Sequence, residues 1–157
     1  MQRPERRFTF KGLAFGPAAF SLALCASAVA AQDKGQMEIV HSKVSAAEAT
    51  IVKAIGAGDS RLLSRTGTEL GRIIEAALKR REDGGSVTSC DLAAHSLAFL
   101  AVSVADGLAN KGEARRMLIE DARAAASDFQ KDMAACEKQA GKRTGSHTSV
   151  EKALRAL

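Results

Sequence analysis

The sequence has no tryptophan and no tyrosine, and only two prolines in 157 residues. Four of its six phenylalanines, Phe8, Phe10, Phe15 and Phe20, sit near the start, so beyond residue 30 only Phe99 and Phe129 remain. The aromatic platform on which single-stranded nucleic acids and sugars stack is therefore missing. β-Branched runs of strand length are absent as well. An alanine-rich chain of this kind favours closely spaced helices over a sheet.

Several chemistries lack their signatures. There is no phosphate-binding glycine loop, no dinucleotide glycine pattern and no Gly-x-Ser-x-Gly elbow, and serines such as Ser96 and Ser103 fall inside apolar helical runs. No Cys-x-x-Cys occurs, so a dithiol redox site is excluded, and with it the Cys-x-x-Cys-His attachment of haem. The three histidines, His41, His95 and His147, never stand four apart. No enzyme activity is expected, and no cofactor.

What the chain does have begins with Arg3, Arg6, Arg7 and Lys11 against the single acid Glu5, followed by an apolar run from Leu13 to Ala31 that ends in small residues. A basic stretch, an apolar stretch and the small residues of Ala28-Val29-Ala30 are the parts of a secretory leader, with the cut expected after Ala30 or Ala31. The run is diluted by alanine, serine, glycine and proline, which argues against a retained membrane span of roughly 20 strongly apolar residues. Leu24 precedes Cys25 where lipid attachment requires a small residue, so Cys25 is expected to leave with the leader. The domain reading is thus a leader over 1–30, a helical domain over 31–139 and a basic, flexible tail over 140–157 carrying a short amphipathic helix.

The leader accounts for three of the net five positive charges, which leaves +2 on the remainder. A nucleic-acid partner is therefore not expected. Five bases against one acid fall in residues 138–157, so positive charge gathers in the tail, notably Lys142, Arg143, Lys152 and Arg155.

Four helices follow from apolar spacing. Met37, Val40, Val44, Ala47, Ile51 and Ile55 form the first stripe, and Gly56 and Gly58 end it. Asp59 can cap the second helix, in which Leu63, Leu70, Ile73 and Ala77 form the stripe. Gly67, in Arg65-Thr-Gly-Thr-Glu69, is its weak point; the helix is expected to run through, with Gly67 and Gly71 admitting a close neighbour. Thr88 and Asp91 form a capping pair for the third and most apolar helix, expected at the centre. Asn110 with Glu113 signals the fourth, with Leu118, Ala122, Ala125, Phe129, Met133 and Cys136 on one face. The closing segment has Val150, Leu154 and Leu157, and is too short to stand alone in water. It either docks or frays.

If the third and fourth helices form an antiparallel hairpin, the register that pairs Leu108 with Leu118 and Leu97 with Phe129 also pairs Cys90 with Cys136. In an oxidising compartment this pair is expected to be a disulfide. The fold expected is all-α: an up-down four-helix bundle with one disulfide-linked helical hairpin and a short C-terminal helix.

The function expected is that of an exported, periplasmic, non-catalytic binding protein of a bacterial cell envelope, with an envelope protein as partner. Two alternatives come from other classes. A metal- or haem-binding bundle would draw on His41, part of a single Glu38-x-x-His41 element, or on His95, four residues after Asp91. A membrane-surface or anionic-polymer binder would use Lys142, Arg143, Lys152 and Arg155.

Overall fold

The structure, a computed structural model, describes the backbone from Ala23 and the side chains from Lys34 onward. The expected leader lies outside the described residues, apart from the backbone of the first turns of helix α1, and so does the side chain of Cys25. The elements are α1 (Ala23–Ala57), α2 (Ser60–Glu82), α3 (Ser89–Ala109), α4 (Gly112–Gln139) and α5 (Ser149–Leu154), with no strand among the described residues.

The chain is the all-α bundle that the apolar stripes imply. On α1, Val40, Val44, Ile51 and Ile55 are buried. Gly58, at φ +64°, reverses the chain, and Asp59 caps α2 by accepting a 2.9 Å hydrogen bond from Leu62 N. α2 ends on Lys79, Arg80 and Arg81, which suit the negative end of its dipole. Thr88 and Asp91 form a reciprocal capping box at the start of α3. Asp91 is fully buried; it accepts from Thr88 N at 2.9 Å and Thr88 Oγ1 at 2.8 Å, and takes both oxygens to Arg80 Nη2 at 2.9 Å.

α3 lies at the centre, packed between α2 and α4. By length and composition it could cross a bilayer, but Leu97, Leu100, Ala101 and Val104 are wholly buried within the bundle. The α3–α4 register is the one inferred from the stripes. Cys90 and Cys136 form a disulfide with Cα atoms 4.5 Å apart, and Ser96 Oγ donates to Asp132 at 2.7 Å. Near the turn, a Cβ on Gly107 would come within 2.8 Å of Ile119 Cδ1.

One boundary differs. Asn110 does not cap α4; it ends α3, its amide donating to Asp106 O at 2.8 Å. The chain then turns through extended Lys111 and through Gly112 at φ +59°, a left-handed conformation that favours glycine, and α4 starts there.

α2 runs unbroken through Gly67, and the two glycines in question behave differently. A Cβ on Gly67 would lie 2.8 Å from Val102 Cγ2 and 3.3 Å from Ala98 O, whereas one on Gly71 would meet nothing within 4 Å. Gly67 is a point of close approach between α2 and α3; Gly71 faces open space. Gly67→Ala is therefore expected to destabilise the fold by about 1–2 kcal/mol, as overpacking exceeds the gain in helix propensity. Gly71→Ala is expected to stabilise it by up to about 1 kcal/mol. Denaturant unfolding of the two variants checks this: stabilisation by both would contradict the close approach at Gly67.

The final segment docks. Val150 and Leu154 are fully buried, and α5 packs against α1 and α4, closing the edge of the bundle between them. Six residues of helix hold their shape here because their apolar side is covered.

Candidate functional site

Two features concentrate chemistry: a buried ionic cluster beneath α5 and a groove between α1 and α2. The cluster joins distant stretches of chain. His147 Nδ1 faces Glu48 Oε2 on α1 at 2.8 Å, and its Nε2 faces Glu137 Oε1 on α4 at 3.0 Å. Ser149 Oγ donates to the other oxygen of Glu48, and Gly145 N donates to Glu137 Oε2 at 2.6 Å. The side chains of His147, Glu48 and Glu137 are 12%, 12% and 7% exposed, so the three charged groups meet almost out of water.

An imidazole with a carboxylate on each nitrogen donates from both, which requires the protonated ring. Burial pulls the His147 pKa down, but its hydrogen bonds to Glu48 and Glu137 and their charges outweigh that, and the net shift is upward. For Glu137, burial pushes up, yet the Gly145 amide, His147 and His41 together bring the net shift below the usual carboxylate range. The Phe129 ring stands edge-on to the imidazole at 5.8 Å. His147 adopts φ +45°, a left-handed strain that the surrounding contacts hold in place.

The cluster thus fastens α5 to the bundle, and its pH dependence has a definite sign. Because the folded pKa of His147 is raised above 6.5, its contribution is complete below pH 6.5 and is lost as pH rises through the folded value. Because the folded pKa of Glu137 is lowered from 4.5, its contribution is present above pH 4.5 and is lost as pH falls through the folded value. Attachment of α5 is expected to be tightest between these limits. Hydrogen exchange of the α5 amides, corrected for intrinsic rates, should show the greatest protection between about pH 4.5 and 6.5 and less on the alkaline side. Protection that grows from pH 6 to pH 9 would contradict the assignment of a charged His147.

His41 joins the edge of the cluster, its Nε2 lying 3.5 Å from Glu137 Oε1 with no hydrogen-bond partner among the described residues. Glu38, its companion in the Glu-x-x-His element, is exposed and takes no part. His95 is exposed on α3, beside Asp121 and Asp128 of α4. Among the described residues, no group of three or more His, Cys, Asp or Glu side chains is placed to hold a metal ion.

Of the tail cations, Lys142, Arg143 and Lys152 are exposed, and Arg155 pairs with Glu151 one turn away. Leu154, which with Leu157 would accompany these charges into a membrane surface, is fully buried, and Leu157 is half-buried against the core. Positive charge remains outside without an inserting face.

The groove between α1 and α2 encloses about 710 Å³. Val40, Ala47, Leu70 and Ile73 give it an apolar floor. Thr50 and Thr66 add no free O–H donor, since each donates to its own helix, at 3.0 Å to Ala46 O and 2.9 Å to Leu62 O. Lys43, Arg65 and Arg72 stand exposed along its rim, and Glu69 is its only acid among the described residues. An apolar floor with few polar groups and a charged rim suits a partly apolar, negatively charged ligand. Compared with protein-family models, with curated proteins and with solved structures, the chain matches none of them.

Proposed function

We propose that the chain is an exported, non-catalytic binding protein of the bacterial cell envelope, working in the periplasm after removal of its leader near Ala30. The groove between α1 and α2, apolar below and basic at the rim, is the observation that carries this reading. It has the size of a ligand site and lies on the outer side of the bundle, away from the buried ionic cluster. The cluster itself favours a fastening role, because both nitrogens of His147 are engaged by carboxylates. The Arg-rich start, the apolar run and the Cys90–Cys136 pair favour an oxidising compartment.

The test is retention of envelope proteins on the immobilised, oxidised protein. A parallel column carries Ala46→Trp and Ala76→Trp, which fill the groove from two exposed positions. Wild type should retain a partner that the filled protein lets pass. Equal retention by the two columns, or retention by neither, would refute the reading.

A further inference from the structure

We propose that the groove between α1 and α2 seats an acidic amphipathic helix of a partner protein. The proposal rests on the reading of this chain as a binding protein that works through that groove.

The shape of the groove sets the first constraint. In an antiparallel hairpin turning at Gly58, residues whose numbers sum to 116 stand at one level along the axes, and the groove-lining pairs Val40 with Ala76, Lys43 with Ile73 and Thr50 with Thr66 do so. The lined stretch on α1 runs from Gln36 to Thr50, or about 21 Å at 1.5 Å per residue. A partner helix of about four turns lies along that length. Small side chains at Ala46, Ala47 and Ala76 leave room for larger apolar residues from outside.

Charge decides the class of occupant. Arg65 and Arg72 are seven residues apart, so they project from the same face of α2 about 10 Å from one another. Lys43 stands on the facing wall near the level of Arg72. All three are exposed, and none forms an ion pair among the described residues. Arg80, at the open end, is already engaged by Asp91.

One cation on the α1 wall and two on the α2 wall, with Glu69 between the two arginines, therefore leave the groove net positive, with its charge spread along the length and not gathered at one end. A single-headed amphiphile such as a fatty acid carries its charge at one end only, and most of these cations would lie unmatched beside its tail. A helix with an apolar stripe and acids repeating every heptad beside it matches both the floor and the spacing of the rim. Such complementarity also speeds encounter and selects against basic partners.

Photo-crosslinking in cells of the organism that makes the protein tests this. Benzoylphenylalanine replaces Glu69 at the rim of the groove, Phe99 on the exposed face of α3, or Lys142 in the tail, each in an otherwise full chain; all three positions are exposed, and the rim position leaves the floor open. Position 69 should yield a polypeptide adduct that maps to a segment with apolar residues three and four apart, flanked by Asp or Glu. A synthetic peptide of that segment should bind the purified protein, and Lys43→Glu with Arg72→Glu should weaken it by about tenfold or more. An acyl-chain adduct at position 69, a segment without acids, an affinity unchanged by charge reversal, or no adduct at that position would overturn the proposal. Polypeptide adducts at 99 or 142 alone would overturn the groove as the site and leave a binding protein; none at any of the three would overturn both.

Discussion

Replacing Cys90 and Cys136 together by alanine is expected to lower the unfolding free energy by about 4 kcal/mol on the loop-closure model. The bridge spans a sequence separation of 46 and encloses nearly all of α3, the turn and α4. Without it the unfolded chain regains the freedom of that loop, and the folded state also gives up the packing of two buried sulfurs, since alanine keeps only the Cβ of each cysteine. Both cysteines are wholly buried at the end of the hairpin remote from the α3–α4 turn. The apolar contacts between α3 and α4 remain, so the variant is expected to stay helical and to unfold at lower denaturant. Equilibrium unfolding of the oxidised wild type and the double variant measures the difference. A loss below about 1 kcal/mol would mean that the hairpin holds its register without the bridge.

The second large effect is expected at Arg80. Asp91 carries its carboxylate at no solvent exposure, and Arg80, reaching over from the end of α2, is its only cationic partner among the described residues. Arg80→Ala leaves Thr88 as the remaining donor to a charge that has been taken out of water. Removing one member of a buried pair costs about 3–5 kcal/mol. Arg80 is itself about one-third exposed, so the lower end of that range, about 3 kcal/mol, is expected. Arg80→Lys keeps the charge, and because a single nitrogen, Nη2, meets both oxygens in the wild type, it should lose less. Thermal or denaturant unfolding of the two variants separates these cases; equal stability of Arg80→Ala and wild type would show that Thr88 alone satisfies Asp91. Arg80 also borders the groove, which is why charge reversal for binding is placed at Lys43 and Arg72.

Much of this fold was legible in the sequence because its information is local. Apolar residues three and four apart on α1, α3 and α4 mark the sides that are buried, and Gly58 marks a turn that needs left-handed backbone. The Cys90–Cys136 pair was legible for a related reason: an antiparallel hairpin has one free parameter, its register, and the apolar stripes set it. The capping reading at Asn110 went astray by local competition, since its side chain can serve the end of one helix as readily as the start of the next.

The ionic cluster and the groove were not legible, for different reasons. Glu48 lies on the buried stripe of α1 and Glu137 adjoins Cys136, and an acid on an apolar face signals that a partner must exist. Nothing in the spacing, however, says that the partner is His147, which is 99 residues from Glu48 and held by a left-handed backbone at a non-glycine position. The groove depends on how far α1 stands from α2, a consequence of packing against α3 and α5 that the α1 and α2 stripes do not encode. Its cations read, in sequence, as the solvated side of an ordinary amphipathic helix.

Everything proposed for function presupposes export and oxidation. Intact-mass analysis of the protein recovered from the envelope fraction, without reducing agent, tests this most directly. The account predicts a chain that begins at Ala31 or Gln32, lighter by two hydrogens than its reduced form, with alkylation blocked at Cys90 and Cys136 until a reductant is added. A full-length polypeptide that still carries its first 30 residues, or one whose Cys90 and Cys136 alkylate freely, would contradict it.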